Sequence, residues 1–191
     1  MLNKLNKKVI LASKSPRRQE LLKGLYIDFE IRTKDIDESY PNHLQEAEIP
    51  SFISEKKAAA FADDLEADEL LITSDTVVCL NGKVLEKPKS LEEGKQMLRE
   101  LSGQTHTVYS AVCLMDTEKK IIFCDQTEVT FKPLDEEEIE FYINQFQPLD
   151  KAGAYGVQEW IGYIAIKKMT GSYYTVMGMP MHLLYDELKK W

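Results

Sequence analysis

A strand, a turn and a helix are predicted in residues 9–24, which read Val-Ile-Leu-Ala-Ser-Lys-Ser-Pro-Arg-Arg-Gln-Glu-Leu-Leu-Lys-Gly. The apolar run at the start of this stretch predicts a buried strand. Ser15 is a good N-cap residue and Pro16 suits the first helical position, so we expect the helix to begin there and to end at Gly24. The stretch therefore places two serines and two arginines at a strand-to-helix turn.

Such a turn is a candidate phosphate site. Backbone N–H groups at a helix N-terminus favour anions, and arginine adds a forked donor that matches phosphate geometry. Ser13, Arg17 and Arg18 are the residues that would take part. An ordinary capped helix with two solvated arginines explains the same residues equally well, and adjacent helix residues point about 100° apart, so both arginines need not face one ligand.

Length and composition indicate a globular protein of one domain or of two closely joined lobes. The chain has 191 residues, of which 43% are hydrophobic and 29% charged, with a net charge of −8. This charge argues against nucleic acid or an anionic membrane surface as a partner, and no apolar run approaches the ~20 residues of a membrane span. The N-terminus is too polar for a signal sequence. Three widely spaced cysteines predict free thiols in a reducing cytosol.

The apolar run over residues 70–78 carries the strongest single functional signal. It predicts a strand, and Ser74-Asp75-Thr76 interrupts it. Aspartate is depleted in strand interiors, and a buried carboxylate without a partner is costly. We therefore expect Asp75 to face a cleft, a metal ion or an arginine.

Four other candidates also have ordinary structural explanations. Glu38 follows a strand predicted over residues 25–36 and could be a solvated loop charge. Lys56 lies on a helix predicted over residues 50–62, where lysines are usually solvated. Lys87 precedes Pro88, which restricts its backbone to an extended conformation. His106, at the start of a predicted strand, is either a site residue or a buried, hydrogen-bonded histidine.

Turn and cap signals define most of the remaining elements. Asn81-Gly82 predicts a tight hairpin, Ser90 a helix over residues 91–101, and Asp135 with Glu138 a capping box before a helix over residues 136–146. Further predictions are a hairpin of strands 105–115 and 121–131, a polar loop over 150–158, a strand over 161–169, and a C-terminal helix over 179–188.

Taken together, these pieces resemble the Maf family. The motifs that carry the resemblance occur in the family's order and cover nearly the whole chain: Ser13-x-Ser-Pro-Arg-Arg18, Ser74-Asp-Thr-Val-Val78, Leu85-Glu-Lys-Pro88, Ser102-Gly-x-Thr-His106, Asp150-Lys-Ala-Gly-x-Tyr-Gly-x-Gln158 and Gly171-Ser-Tyr-Tyr-Thr-Val-x-Gly-x-Pro180. One such block alone would be a weak signal, but the set is specific.

The resemblance implies a two-lobed α/β fold like that of inosine triphosphate pyrophosphatases, with a mixed twisted sheet and a nucleotide between the lobes. It also implies hydrolysis of a nucleoside triphosphate to the monophosphate and pyrophosphate, with Mg²⁺ or Mn²⁺, by a cytoplasmic homodimer. The loop ending at Gln158 is similar to that of the branch acting on dTTP and UTP. Trp160 and Ile161 stand where a glycine-rich run is expected, which affects the shape of the base pocket.

The same resemblance implies a role for each matching residue. Asp75 is assigned as the proton acceptor or a metal-linked carboxylate, and Glu38 as an acidic partner of the metal. The other assignments are substrate selection by Arg17, Thr76 and Gln158, and a position near the phosphates for Ser13, Arg18, Lys56 and Lys87. Lys56 is preferred to Lys57 because of the Glu55-Lys56 pairing.

Two other functions remain open from the sequence. One is a nucleotide-binding regulator of septum formation with little catalysis, and the other is a house-cleaning pyrophosphatase for modified nucleotides. The chain contains no Walker-type Gly-x-x-x-x-Gly-Lys-Ser/Thr motif, which disfavours a P-loop enzyme.

Overall fold

The computed structural model describes residues 5–191. Its strands are Lys8–Leu11 (β1), Phe29–Ile31 (β2), Glu69–Leu80 (β3), Lys83–Leu85 (β4), Thr105–Met115 (β5), Lys120–Phe131 (β6) and Ile166–Thr170 (β7). Its α-helices are Pro16–Lys23 (α1), Glu48–Ala59 (α2), Leu91–Leu101 (α3), Glu136–Phe146 (α4), Trp160–Ala165 (α5), Tyr173–Met177 (α6) and Met181–Leu188 (α7). No helix in this part of the chain is both long and apolar enough to cross a membrane.

The strands form one mixed sheet. Its order is β2-β1-β3-β5-β6-β7, and β4 pairs with β3. Strand β1 runs parallel to β2 and β3, whereas β4 is antiparallel to β3 and β7 is antiparallel to β6. The predicted α/β class with a mixed sheet flanked by helices is confirmed.

The chain divides into two compact units. The first extends to Thr76 and also contains Ser110–Asp125 and Gly178–Trp191. In its core, Ile10 of β1 and Leu71 of β3 pack with Phe61 and Cys113, all almost inaccessible to solvent. Residues 9–11 of β1 and residues 70–72 of β3, which pair in parallel, are all apolar and buried, as expected for strands covered on both faces.

The second unit contains Val77–Tyr109 and Gln126–Met177. Helices α3 and α4 pack closely there because α3 carries a glycine at the contact: a Cβ on Gly94 would lie 2.9 Å from Ile143 Cδ1. Ile143 and Tyr142 of α4 are fully buried, as is Leu98 of α3. Helix α4 therefore forms much of the core against which the 150–158 loop lies.

The short-range signals predicted their elements well. Ser90 caps α3 by accepting a hydrogen bond from Glu93 N at 3.1 Å, and Asp135 with Glu138 forms a complete capping box at α4. Asn81 and Gly82 both have positive φ in the β3–β4 hairpin, as the sequence predicted. The three cysteines are free thiols.

Three predicted elements need correction. The strand predicted over residues 25–36 is reduced to Phe29–Ile31, and the helix predicted to open at Pro50 begins two residues earlier, at Glu48. The strand predicted over residues 161–169 is helix α5 as far as Ala165 and becomes β7 only from Ile166. The helical turn depends on Gly162, because a Cβ there would lie 1.9 Å from the carbonyl oxygen of Val157.

Candidate active site

Asp75 lies in the interior of β3 with only 6% of its surface exposed. The Lys57 ammonium from α2 lies 2.8 Å from Asp75 Oδ1 and 2.7 Å from Glu38 Oε1. One lysine therefore joins the two carboxylates that the sequence had selected. The sequence led us to expect a cleft, a metal ion or an arginine at Asp75, whereas the cation that pairs with it is a lysine.

The lysine at Asp75 is not the one selected from the sequence. Lys56 Nζ instead contacts Asp37 Oδ2 at 3.2 Å and the carbonyl oxygen of Ser39 at 2.9 Å. Consecutive helical residues point about 100° apart, so the neighbouring side chains reach different groups. Helical spacing identifies Lys57: it follows the buried Ser54 by three residues and therefore shares the buried face of α2. The assignment of Lys56 to the phosphates remains a prediction.

Arg18 is hydrogen-bonded to the residues on both sides of Asp75. Its Nη1 donates to the Ser74 carbonyl oxygen at 2.9 Å, and its Nη2 donates to Thr76 Oγ1 at 3.1 Å. Its Nε donates to the Gly178 carbonyl oxygen at 3.0 Å. Burial lowers the pKa of Arg18, and the nearby Asp75 carboxylate opposes that shift. These bonds hold the strand around Asp75 in place. The contact of Arg18 with phosphate stays a prediction.

The Gly178 carbonyl is the second anchor of this strand. It accepts the bond from Arg18 and a further bond from Ser74 Oγ at 3.0 Å. Gly178 has a φ of 115°, a conformation that favours glycine, and an added Cβ would lie 3.4 Å from Thr76 Oγ1. The Thr76 hydroxyl also shares a hydrogen bond of 2.8 Å with Ser110 Oγ. The segment before α7 is thus joined directly to the residues beside Asp75.

The strand-to-helix turn has the predicted position. Ser13 is buried, and its Oγ accepts a hydrogen bond from Ser15 N at 3.2 Å. Ser15 is the N-cap residue by position, with Pro16 in the first turn, but its side chain makes no capping hydrogen bond. Gly24 follows the helix in a right-handed rather than left-handed conformation. Arg17 is partly buried at the first turn of α1.

Gln158 and Lys87 belong to the second unit. Lys87 is exposed just after β4, and the neighbouring Glu86 carbonyl oxygen accepts a hydrogen bond of 3.2 Å from Gly153 N. The 150–158 loop is therefore bonded to the Lys87 segment. Gln158 Oε1 is buried and accepts no hydrogen bond from residues 5–191. A buried amide oxygen without a donor costs about 1–3 kcal/mol, which a ligand N–H can recover.

His106 is a buried, hydrogen-bonded histidine, one of the two alternatives drawn from the sequence. It is 1% exposed, and its Nε2 shares a hydrogen bond of 2.8 Å with the Tyr155 hydroxyl. Its ring also packs edge-on against Phe131 and Tyr155. Burial lowers the pKa of His106 to about 4, so the ring is neutral at pH 7.

We expect His106 to make the protein less stable as the pH falls from about 6.5 to about 4. The unfolded chain binds a proton on this ring near its usual pKa of ~6.5, whereas the folded protein does not until about pH 4. The free energy of unfolding should therefore decrease by on the order of 3 kcal/mol across this window. Denaturant unfolding at several pH values measures it, and His106→Gln should flatten the slope. An equally steep slope in that variant would assign it to other groups.

The family model described as "Maf-like protein" matches residues 8–191. The chain belongs to the Maf-like family. This confirms the resemblance based on the sequence motifs.

Named Maf-like relatives align over nearly their whole length. The chain is 54% identical to a dTTP/UTP pyrophosphatase of Bacteroides thetaiotaomicron, with 100% of each chain covered. It is 48% identical to a dTTP/UTP pyrophosphatase of Flavobacterium johnsoniae, with 95% of this chain and 93% of the relative covered. Among solved structures, the Ham1 protein of Staphylococcus aureus is similar with a TM-score of 0.54 at 16% identity, covering 95% of this chain and 100% of the other. At that identity the similarity shows the fold alone.

The candidate site has two carboxylates that could bind a divalent metal, but they do not form a complete coordination shell. No group of three or more His, Cys, Asp or Glu side chains placed to hold a metal occurs in residues 5–191. Asp75 and Glu38 nevertheless share one ammonium, so their oxygens are close enough to act together. Mg²⁺ commonly binds through one or two carboxylates together with substrate phosphates. The donor set therefore fits a metal that arrives with a nucleotide.

Proposed function

We propose that this Maf-like protein hydrolyses nucleoside triphosphates, with dTTP and UTP as substrates, to the monophosphate and pyrophosphate. The observation that carries the proposal is the buried Asp75 carboxylate, whose partner Lys57 also contacts Glu38, next to Arg18 of the strand-to-helix turn. The names of the relatives that align along the whole chain support the same reaction and substrates.

In the proposed reaction, Asp75 accepts a proton from the attacking water. The water oxygen forms a bond to the α-phosphorus, and the bond from that phosphorus to the bridging oxygen breaks, with its electron pair leaving on pyrophosphate. Lys57, whose ammonium lies 2.8 Å from Asp75 Oδ1, holds the Asp75 side chain in place. A general base of this kind contributes about 10²–10⁴-fold to the rate.

The basic residues counter the charge of the triphosphate, which is about four negative charges. On the basis of the family resemblance we assign Ser13, Arg17, Arg18 and Lys87 to the phosphates. We propose Lys57 in place of Lys56, because Lys57 is the lysine that contacts Asp75. A Mg²⁺ or Mn²⁺ ion bound by Asp75 and Glu38 would supply further screening of the phosphates. The chain otherwise has a net charge of −8, which makes local positive charge necessary for a polyanionic ligand.

Pyrophosphate release is the direct test of this function. UTP, dTTP, CTP and GTP would be compared with Mg²⁺, with Mn²⁺ and with a chelator. Fast release from UTP and dTTP that the chelator abolishes is the expected result. Tight nucleotide binding without release would favour the regulatory alternative instead.

Modified pyrimidine nucleotides belong in the same panel. Trp160 and Ile161 stand where the family resemblance implies a glycine-rich run, which affects the expected shape of the base pocket. Faster release from a modified nucleotide than from UTP or dTTP would identify the house-cleaning function.

We expect Gln158→Ala to reduce discrimination among nucleotides more than it slows the chemical step. The side-chain amide offers a donor and an acceptor, which match the imide edge of uracil or thymine, and its buried oxygen has no donor in residues 5–191. The ratio of kcat/KM for UTP to that for CTP should fall by about 10-fold or more, the scale of losing a polar contact. An unchanged ranking would show that Gln158 does not select the base.

The family resemblance is also the basis for proposing a cytoplasmic homodimer. Free cysteines are compatible with a reducing compartment. Sedimentation at several protein concentrations tests the dimer, and cell fractionation tests the location.

A further inference from the structure

A buried polar cluster holds the loop that carries Gln158. Its centre is the Tyr142 hydroxyl on α4, which accepts a hydrogen bond from Gly156 N at 2.9 Å and donates one to Glu159 Oε2. Glu159 Oε1 in turn lies 3.1 Å from Lys151 Nζ, which also contacts Asp150 Oδ1 at 2.7 Å. We call Tyr142, Lys151 and Glu159 the loop anchor.

The members of the loop anchor are largely removed from water. Tyr142 is fully buried, and the side chains of Lys151 and Glu159 are 9% and 18% exposed. Burial, and then the Glu159 carboxylate, raises the pKa of Tyr142, so its hydroxyl remains a donor to Glu159. Removing one partner of such a group leaves the others unsatisfied, which is strongly unfavourable. The anchor therefore has one well-defined arrangement.

The anchor holds both ends of the turn in which Gln158 lies. Glu159 N donates to the Gly156 carbonyl oxygen at 3.0 Å, which closes a four-residue turn. The Tyr142 hydroxyl binds the first residue of that turn through its N–H and the last through its carboxylate. A Cβ on Gly156 would lie 2.8 Å from Glu159 Oε2, so the carboxylate packs directly against the backbone.

We propose that Glu159 is a positioning residue that, through Tyr142 and Lys151, fixes Gln158 for selection of the base. The inference rests on the proposed function of Gln158. Gln158 itself has a buried oxygen without a donor in the described part of the chain, so its orientation depends on the backbone of the turn.

Substitutions in the anchor separate this role from simple stabilisation. Tyr142→Phe keeps the ring and removes the hydroxyl, Glu159→Ala removes the carboxylate, and Glu159→Gln keeps an acceptor for Tyr142. The matched control is Glu140→Ala, which removes a more exposed carboxylate on the same helix as Tyr142, 3.5 Å from Lys95. KM and kcat would be measured for UTP, dTTP and CTP, with thermal unfolding of each variant.

Glu159→Ala and Tyr142→Phe should each raise KM for UTP by about 10-fold and lower the ratio of kcat/KM for UTP to that for CTP. The kcat for UTP should change by less than about threefold. Glu159→Gln should keep most of the parent's preference for UTP over CTP. Because the residues act as a unit, the double variant should be no worse than the more affected single variant. Hydrogen exchange should show faster exchange at the Gly156 amide in Tyr142→Phe, and Glu140→Ala should match the parent.

The outcomes distinguish this inference from the function on which it rests. If Gln158→Ala changes the ranking but folded Glu159→Ala keeps the parent's KM and ranking, the positioning role is wrong and the base-reading role stands. If Gln158→Ala changes nothing, base reading by Gln158 fails and the positioning role fails with it. If Tyr142→Phe does not fold, the two Glu159 variants test the positioning role by themselves. Their KM for UTP and their ranking of UTP and CTP are then compared with those of the parent.

Discussion

Asp75→Asn should lower kcat by at least ~10²-fold while the protein remains folded, because a positioned proton acceptor contributes on this scale. The substitution keeps the shape of the side chain and removes its charge. Lys57 retains Glu38 as an ionic partner at 2.7 Å, so no cation is left buried alone. Pyrophosphate release, nucleotide binding and thermal unfolding would be measured on one preparation.

Glu69→Gln is the matched control for this prediction. Glu69 lies on the same strand as Asp75, is 1% exposed, and accepts two hydrogen bonds from Arg32 at 2.7 and 2.9 Å. The Arg32 guanidinium lowers the pKa of Glu69 to about 2, so this carboxylate is an ion-pair partner. The control should lose stability and keep its turnover. Asp75→Asn with turnover within a few-fold of the parent would remove Asp75 from the chemistry, and Glu38 would become the next candidate.

Lys57→Met should reduce kcat/KM by about 10²–10³-fold, the cost of losing one preorganised charged donor, whereas Lys56→Met should stay within a few-fold of the parent. Methionine keeps the apolar stem of lysine and removes the ammonium that joins Asp75 to Glu38. The two substitutions are adjacent on one helix and remove the same charge, so each is the control for the other.

A large loss of kcat/KM in Lys56→Met together with a small loss in Lys57→Met would contradict this assignment. Lys56 would then be the lysine that contacts the phosphates. The comparison needs a stability measurement as well. Lys56 also has partners, Asp37 and Ser39, and part of any effect could come from the loop that carries them.

Sequence patterns predicted the elements that depend on neighbouring residues. The caps of α3 and α4 and the Asn81-Gly82 hairpin are fixed by side-chain and backbone bonds within a few residues, so their patterns are sufficient. The strand-to-helix turn that contains Ser13 was predicted for the same reason. Asp75 was found because a carboxylate in an apolar strand is unusual whatever surrounds it.

What the sequence could not predict depends on contacts between distant segments. The choice between two adjacent lysines is made where α2 packs on β3, for example at the hydrogen bond of 2.7 Å from Thr73 Oγ1 to the Ser54 carbonyl oxygen. The helix α5 was mistaken for a strand because the close approach of Gly162 to Val157 leaves little trace in the apolar pattern. The bonds of Arg18 to Ser74 and Gly178 also join residues remote in sequence.

The bonds to the Gly178 carbonyl can form only late in the synthesis of the chain. The ribosome adds Gly178 104 residues after Ser74, whose hydroxyl donates to it. Domains that fold during synthesis do so as the necessary segments emerge. A nascent chain that has completed β3 but not yet reached Gly178 therefore contains Asp75 but lacks the two bonds that Arg18 and Ser74 make to the Gly178 carbonyl. Products that terminate after β3 but before Gly178 lack these bonds, and we expect them to be unable to consume nucleotides.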